Sequence, residues 1–210
     1  MLNDELDSSE LGTLEYWEQR YKNEIKNYSD YGDTGDVWFG EDIVERIINW
    51  LTKNIAKTSK IADIGCGNGH ILTELARLDY KDLTGLDYSQ TAIDLAQAIA
   101  QEQKLSIKYE VTDILEGLKA TYNVIHDKGT YDAVSLSTNS KESCMKYMIN
   151  VHEALRPDGY FIITSCNWTE NELKDHFKQY FLIHQTISTP QFKFGGKVGN
   201  VVSICVFVKK

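Results

Sequence analysis

The sequence is poor in the features that mark several common classes of protein. Its four cysteines lack a C-x-x-C pair or Cys/His ligand spacing, so neither a disulfide framework nor a zinc site is indicated and reduced thiols are expected. The formal net charge of −9 argues against a general nucleic-acid binder, which needs basic surface to neutralise phosphates. No apolar run approaches the ~18 residues that span a bilayer. We therefore expect neither nucleic acid nor membrane as a partner.

The amino-terminal segment also lacks the apolar stretch of a secretory signal, because Met1–Asp7 is acidic and polar. We expect a soluble protein located in the cytoplasm. The acidic surface is compatible with a basic protein partner. With 210 residues, the chain fits one domain over residues 13–210, preceded by a disordered acidic tail over residues 1–12. A monomer is the default at this size.

Strand and helix signals alternate after residue 60, which predicts a mainly parallel sheet with right-handed crossovers. The predicted strands are Lys60–Ile64, Asp82–Leu86, Ser106–Thr112, Asn123–His126 with Asp132–Leu136, and Tyr160–Ser165. The predicted helices between them are Gly69–Leu78, Gln90–Lys104 and Lys141–Leu155. A turn over residues 155–159, with Pro157 and Gly159 as breakers, is predicted before the last of these strands.

The two ends of the chain depart from this alternation. Helical spacing over Thr13–Ile25 and Glu41–Asn54 flanks an aromatic segment at residues 28–40, so residues 13–55 are predicted to form a helical and aromatic lid. The carboxyl-terminal end has a helix signal at Thr169–Phe177. Two strand signals follow, joined by a Gly-rich loop at 190–199, at Tyr180–Ile187 and Val201–Lys209. Such an antiparallel hairpin on a parallel sheet favours the methyltransferase variant of the Rossmann-like fold over NAD dehydrogenases.

A glycine-rich turn follows the first predicted strand, in the run Asp63-Ile64-Gly65-Cys66-Gly67-Asn68-Gly69. Glycines at this spacing let the backbone turn sharply and bring its N–H groups against a ligand. Dinucleotide folds use G-x-G-x-x-G to seat a pyrophosphate. The spacing G-x-G-x-G after an acidic residue instead suits a ligand with a cationic amino-acid part and no pyrophosphate, as in S-adenosylmethionine. Ordinary loop chemistry is the alternative.

The next two strand ends supply carboxylates where a ligand would lie, because open α/β sheets bind ligands beyond the carboxyl ends of their strands. Asp87 is placed to accept both ribose hydroxyls, or to cap the next helix, for which Ser89 is better placed. Asp113 is expected to accept from the adenine amino group, with Ile114 against the ring, unless it is an exposed loop residue. Trp38 either faces the cationic cofactor or lies buried in the lid. The predicted cofactor-binding residues are Trp38, Asp63, Gly65, Cys66, Gly67, Asn68, Gly69, Asp87, Tyr88, Ser89, Asp113 and Ile114.

The fourth strand end carries Asp127-Lys128-Gly129-Thr130, which are expected to face the methyl acceptor. Asp127 is the predicted catalytic residue, holding an incoming ammonium and helping it lose a proton, because only the neutral amine is a nucleophile. Alternatively, Asp127 and Thr130 only shape the turn and Lys128 is solvated. His126 is interpreted as a strand residue rather than a base.

With these residues assembled, the chain resembles the seven-strand class I methyltransferases. More narrowly, it resembles the elongation factor 1-alpha lysine methyltransferase 2 family, the methyltransferase-like 10 group. The resemblance covers residues 11–210. It is carried by Leu11-Gly12-Thr13-Leu14-Glu15-Tyr16-Trp17, by residues 33–41 (DTGDVWFGE), by the glycine run and by Asp127-Lys128-Gly129-Thr130. The glycine run marks the superfamily, whereas the aromatic segment and the Asp-Lys-Gly-Thr sequence narrow it.

The resemblance implies a Rossmann-like α/β fold with seven strands, and methylation of a lysine on translation elongation factor 1-alpha with S-adenosylmethionine. The Asn/Asp-Pro-Pro-Tyr/Phe signature of many amino methyltransferases is missing, and Asp127-Lys128-Gly129-Thr130 stands in its place. Two alternatives stay open: a methyltransferase of another protein or of a small amine, and a non-catalytic scaffold with the same fold. An intact glycine run and Asp87 disfavour the scaffold.

Overall fold

A computed structural model describes residues 6–194 and 197–210 of the chain. The helices are α1 Leu14–Tyr31, α2 Glu41–Asn54, α3 His70–Arg77, α4 Gln90–Glu102, α5 Thr130–Ser135, α6 Ser140–Ala154 and α7 Glu170–Phe177. The strands are β1 Lys60–Ile64, β2 Asp82–Asp87, β3 Lys108–Val111, β4 Tyr122–Lys128, β5 Leu155–Ser165, β6 Phe181–Ile187, β7 Gln191–Phe194, β8 Lys197–Asn200 and β9 Ser203–Lys209. In this described part of the chain, none of the helices combines the length and the apolarity needed to cross a membrane.

Seven of the strands form one sheet in the order β3-β2-β1-β4-β5-β9-β6. Strands β1 to β5 are parallel, and β9 runs antiparallel to both β5 and β6. The predicted fold, a mainly parallel sheet with a carboxyl-terminal antiparallel pair, is therefore confirmed. The predicted Gly-rich loop between β6 and β9 contains a separate two-stranded ribbon, in which β7 pairs with β8.

The central strands carry apolar residues on both faces, as expected where helices cover both faces of the sheet. Ile61, Val124 and Ile162 pack against α2, α3 and α4 on one face. Their strand neighbours Ile125 and Phe161 pack against α6 and α7 on the other. Alternate side chains point to opposite faces, so a single strand contributes side chains to the core on both sides of the sheet.

The segment predicted as a lid divides into two parts. Helix α1 is longer than expected, from its cap at Thr13 to a left-handed Gly32, and lies on α4 outside the main core. Helix α2 has the predicted bounds, but Ile47 and Leu51 are fully buried in the core. The interpretation of α2 as part of a lid is therefore wrong, because its apolar face belongs to the body of the domain.

The prediction for the second half of the split fourth strand is also wrong. The segment predicted as a strand at Asp132–Leu136 lies mostly within helix α5, which follows a left-handed Gly129 at φ 95°. The Asp127 carboxylate accepts the backbone N–H groups of Thr130 (2.8 Å) and Tyr131 (2.9 Å). These donors have no partner within the helix, so Asp127 stabilises the helical turn that apolar content alone did not predict.

Smaller differences concern a turn and the amino-terminal tail. Residues 155–159 belong to β5, where Leu155 pairs with Tyr122 before a break in register. The first five residues of the predicted disordered tail lie outside the described residues. The rest of the prediction is wrong, since Glu10–Gly12 form a 3₁₀ turn and the Ser9 N–H donates to the Leu136 carbonyl at 3.0 Å. Backbone contact with α5 holds this segment.

Candidate active site at the carboxyl ends of the strands

A cavity of about 230 Å³ lies beyond the carboxyl ends of β1, β2 and β4. The strand order reverses between β1 and β4, and open α/β sheets bind their ligands at this switch point. Among the predicted site residues, those that line the cavity are Trp38, Gly65, Cys66, Gly67, Asn68, Asp87, Tyr88, Asp113, Ile114, Lys128, Gly129 and Thr130. The site therefore has a β1–β3 half and a β4–β5 half, joined at the glycine-rich turn.

The glycine-rich turn depends on glycine for two reasons. Gly65 and Gly67 adopt φ values of 63° and 53°, which side chains disfavour. A Cβ on Gly65 would overlap the Thr130 side chain, and one on Gly67 would overlap the Tyr21 hydroxyl. The turn can therefore approach both the β4 end and helix α1 closely enough to form the cavity floor.

Asp87 links the turn to the end of β2. Its Oδ2 accepts the Gly67 N–H at 3.0 Å and its Oδ1 accepts the Ser89 N–H at 2.9 Å. The side chain is buried, and this burial raises the pKa of Asp87 to about 6, against the lowering effect of the two backbone N–H groups. Each oxygen keeps a second acceptor position, and the residue lines the cavity. This arrangement suits a vicinal diol.

Beyond Asp87, the cavity becomes apolar. Leu86, Ile114, Leu115 and Leu118 line this end. Asp113 stands among them, and its Oδ1 accepts the Leu115 N–H at 2.8 Å, which orients the carboxylate at the start of a 3₁₀ turn. A flat ring with one polar edge matches an apolar slot that carries a single fixed carboxylate.

Helix α1 and the segment 32–40 cover the cavity. The Asn68 side-chain amide donates to the Thr34 carbonyl at 2.9 Å, tying this cover to the glycine-rich turn. Trp38 packs edge-on against Trp17 at 5.4 Å between ring centroids. Phe39 has a φ of 67°, a strained value for an aromatic residue, and its ring lies 5.8 Å from the Lys128 Nζ.

Glu24, an acidic residue in the cover, was missed by the sequence reasoning. Its side chain lines the cavity and is 7% exposed. Arg20 Nε donates to its Oε1 at 3.0 Å. Burial raises the pKa of Glu24, while the pairing with Arg20 lowers it. Its helical spacing from Trp17 and Tyr21, which also line the cavity, was the available signal.

Three predicted cofactor residues do not lie among the described cavity-lining residues. Asp63 faces the sheet and contacts His126, with 2.7 Å between Oδ1 and Nδ1, because these two residues pair in register and share one face. Gly69 begins α3 in a left-handed conformation. Ser89 caps α4 by accepting the Ala92 N–H at 3.1 Å. The structure therefore gives these three residues roles in the sheet and at the starts of helices, and their direct contact with a cofactor stays a prediction.

The predicted catalytic residue is also misplaced. Asp127 is fully buried and is not among the described residues that line the cavity. Beyond the two N–H groups of α5, its Oδ2 accepts the Tyr147 hydroxyl. Burial is the main cause that raises the pKa of Asp127 to about 7. The expectation that its carboxylate touches an incoming amine is wrong, because local donors turn it inward.

The β4–β5 half of the wall contains residues that the sequence reasoning missed. Asp132 on α5 lines the cavity together with Cys166 and Asn167, which follow β5. The rule that ligands lie at strand ends would have found the last two, had it been applied to β5. Asp132 was hidden by its assignment to a strand.

The donor set fits S-adenosylmethionine. A diol-binding carboxylate, an apolar slot with one carboxylate, and a buried acid beside the glycine-rich turn match ribose, adenine and an ammonium group. Across residues 6–194 and 197–210, His, Cys, Asp and Glu side chains form no group of three that could hold a metal ion.

The fold and the site place the chain in the class I methyltransferases. Residues 55–197 match the family model described as a methyltransferase domain. Magnesium protoporphyrin IX methyltransferase from Synechocystis with bound SAM has a similar structure (TM-score 0.71, 17% identity, 97% of this chain and 99% of that chain covered). A TehB-like SAM-dependent methyltransferase from Corynebacterium glutamicum is similar too (TM-score 0.66, 20% identity, 91% and 99% covered). At these identities the likeness concerns the fold.

Curated relatives define the family more closely. EEF1A lysine methyltransferase 2 of Danio rerio is 45% identical over 95% of this chain and 88% of its own length. The Homo sapiens protein of the same name is 41% identical, over 96% of this chain and 87% of its own. Protein-lysine N-methyltransferase efm4 of Schizosaccharomyces pombe is 38% identical, over 96% and 95%. The chain belongs to the family of these lysine methyltransferases.

Proposed function

We propose that this protein is an S-adenosylmethionine-dependent protein-lysine N-methyltransferase that acts on a lysine of translation elongation factor 1-alpha. The observation that carries the proposal is the hydrogen bond from the Gly67 N–H to the Asp87 carboxylate at the cavity floor, which fixes a carboxylate beside the glycine-rich turn. The relatives of the chain are named for this activity. A non-catalytic scaffold would not require this hydrogen bond beside an open cavity.

Each part of the cofactor has a matching group in the β1–β3 half. Asp87 accepts hydrogen bonds from the ribose hydroxyls. Asp113 accepts one from the adenine amino group, and Ile114 packs on the adenine ring. Glu24 supplies the negative charge for the amino group that the sequence had assigned to Asp63. Trp38 offers an aromatic face to the positive charge. When bound, S-adenosylmethionine supplies a methyl group on a sulfonium, which a neutral amine accepts in one displacement.

The β4–β5 half orients the acceptor. Lys128, Gly129 and Thr130 form the wall next to the glycine-rich turn, and Phe39 covers Lys128. Thr130 is fixed because its hydroxyl donates to the Ile64 carbonyl at 2.8 Å. Holding the amine in line and excluding water provides much of the rate in such a transfer. Asp127 contributes indirectly, by holding α5 in place.

The setting of the reaction follows from the substrate. The net charge of −9 favours association with a basic surface on the protein substrate. Because a translation factor is found in the cytoplasm, the protein acts there. It acts as a monomer, the default at this size. Nucleic acid and membrane are not partners in this scheme.

The test is transfer of a tritiated methyl group from S-adenosylmethionine into purified elongation factor 1-alpha, with a bulk cell extract alongside. Label in one band at the mass of this factor, absent with the Asp87→Ala variant, supports the proposal. Label only in another protein or in a small amine would keep the chemistry and reject the substrate. Failure to bind the cofactor would reject the function.

A further inference from the structure

The β4–β5 half of the cavity holds a carboxylate that the proposed function does not yet use. Asp132 lies on the inner side of α5, is 6% exposed and lines the cavity between the end of β4 and the end of β5. Its neighbours on this wall are Lys128, Cys166 and Asn167. The other acidic residues among the described cavity-lining positions are Glu24, Asp36, Asp87 and Asp113, and these belong to the cover or to the β1–β3 half.

The Asp132 carboxylate is held in one orientation by the end of β5. Oδ1 accepts the Ser165 hydroxyl, and Oδ2 accepts the Cys166 N–H at 2.8 Å. Ser165 is itself fixed, because its Oγ accepts the N–H groups of Asn167 (3.2 Å) and Trp168 (3.0 Å). A carboxylate has about four acceptor positions. The Ser165 hydroxyl and the Cys166 N–H take two of them, and the Cys166 thiol and the Asn167 N–H make weaker contacts with the carboxylate. Asp132 is therefore preorganised, and a group that reaches it from the cavity would replace only the weaker contacts.

Asp127, which the sequence favoured for this role, differs in this respect. Two backbone N–H groups of α5 and the Tyr147 hydroxyl occupy its oxygens, at a depth where the side chain is fully buried. Asp127 lies in β4, whereas Asp132 lies on helix α5, which follows that strand, and borders the cavity. Burial raises the pKa of Asp132, whereas its bonds to Ser165 and Cys166 lower it.

We propose that Asp132 receives the ε-amino group of the substrate lysine, its carboxylate accepting a hydrogen bond from Nζ and turning the nitrogen toward the methyl donor. The inference rests on the proposed function and assigns its amine-binding residue. Among the described residues that line this half of the cavity, Asp132 is the acidic one that an incoming cationic amine would meet. The contact is directional, so it places the amine as well as attracting it.

The decisive variant is Asp132→Asn, which keeps the shape of the side chain. The amide oxygen can still accept the Cys166 N–H, so this bond between α5 and β5 persists without the charge. The bond to Ser165 is lost, because Ser165 Oγ already accepts two backbone N–H groups and has no position left for an amide donor. Asp132→Glu restores the charge at a slightly different reach. Asp158→Asn, at an exposed position of β5, is the matched control for removing an acid.

The first readout needs no protein substrate. Two probes are compared by calorimetry: an adenosyl-amino-acid analogue whose sulfur is replaced by nitrogen bearing a 3-aminopropyl arm, and its propyl counterpart. The wild-type protein should bind the aminopropyl probe at least about tenfold more tightly, as expected for one charge-assisted hydrogen bond. In Asp132→Asn the two affinities should become equal while the affinity for S-adenosylhomocysteine is unchanged. Asp158→Asn should behave as wild type.

The second readout is methyl transfer to elongation factor 1-alpha. Asp132→Asn should lower kcat about 100-fold with little change in KM for the factor, since misplacement at the reacting centre affects the rate rather than the docking of a large partner. Asp132→Glu should recover part of kcat. A purely structural role would instead lower stability and cofactor affinity together.

The proposal is overturned if the wild-type protein shows no preference for the aminopropyl probe, or if Asp132→Asn keeps that preference. It is also overturned if Asp132→Asn loses S-adenosylhomocysteine binding in proportion to its loss of the aminopropyl probe. A wild-type preference that Asp132→Asn abolishes, without labelling of elongation factor 1-alpha, would reject the protein substrate and support Asp132 as the amine-binding residue.

Discussion

Asp87 is the last residue of β2 and Asp127 is the last but one of β4, the two strands that flank β1, and the two residues look alike in most respects. Both side chains are buried, both accept two backbone N–H groups, and burial raises their pKa values to about 6 and about 7. They differ in the source of those donors. Asp87 takes one from Gly67 across the cavity floor, whereas Asp127 takes both from its own following helix.

The difference shows what a strand end does and does not determine. The sheet topology brings both carboxylates to the same edge, because parallel strands end together. Which way each side chain turns depends on the nearest unsatisfied donors. Helix α5 begins only three residues after Asp127, so its first N–H groups donate hydrogen bonds to the Asp127 carboxylate. Ser89 caps α4 itself, which leaves Asp87 directed to the glycine-rich turn.

The largest expected effect is on cofactor binding by Asp87→Ala. Loss of two charge-assisted hydrogen bonds to ribose, at about 1.5–3 kcal/mol each, should weaken S-adenosylmethionine binding by at least about 100-fold. Isothermal titration calorimetry measures it, with Asp82→Ala, an exposed position at the start of the same strand, as the matched control. Wild-type affinity in Asp87→Ala would remove the ribose assignment.

Asp127→Ala should instead act on stability. Three donors, the N–H groups of Thr130 and Tyr131 and the buried Tyr147 hydroxyl, lose their acceptor. We expect the free energy of unfolding to fall by about 3 kcal/mol, because buried unsatisfied donors cost 1–3 kcal/mol each. Urea unfolding with and without saturating cofactor measures the loss. Full stability combined with a collapse of kcat would return Asp127 to a direct role in catalysis.

Much of the fold could be predicted because its signals are local. The bounds of α2 and β1 were predicted to the residue, and the antiparallel β9 followed from the Gly-rich loop before it. The glycine motif identified the cavity floor because its spacing reflects backbone conformation, which Gly65 and Gly67 adopt in the structure. Periodicity and spacing carry this kind of information.

The errors at the site share another cause. Asp63 pairs with His126 across a strand register, and Asp127 binds donors of a helix that the sequence had read as a strand. Glu24 reaches the cavity from α1, nearly forty residues upstream of the glycine motif. Each case depends on which partner a side chain meets in three dimensions. A single sequence gives the type of each residue and its position in the chain, but not that partner.

The pH dependence of cofactor binding should separate the two carboxylates. The ionised form of Asp87 accepts hydrogen bonds, and protonation as the pH falls through about 6 removes that capacity. Affinity for S-adenosylmethionine should therefore be full above this pKa and about tenfold weaker one unit below it. Titrations from pH 8 to pH 5 test this. Asp127→Asn should keep the same fall, and a flat profile in that variant would assign the effect to Asp127.

The smallest effect is expected at the cover, where contact is apolar and aromatic rather than charge-assisted. Trp38 packs edge-on against Trp17, and Arg20 lies 5.4 Å from its ring centroid. Trp38→Ala should weaken cofactor binding about fivefold, the size of one partly exposed cation–π contact of about 1 kcal/mol. Trp38→Phe, which keeps an aromatic face, should recover most of this loss in the same calorimetric assay. Equal affinities for wild type and Trp38→Ala would mean that the ring only closes the cover and makes no favourable contact with the positive charge of the cofactor.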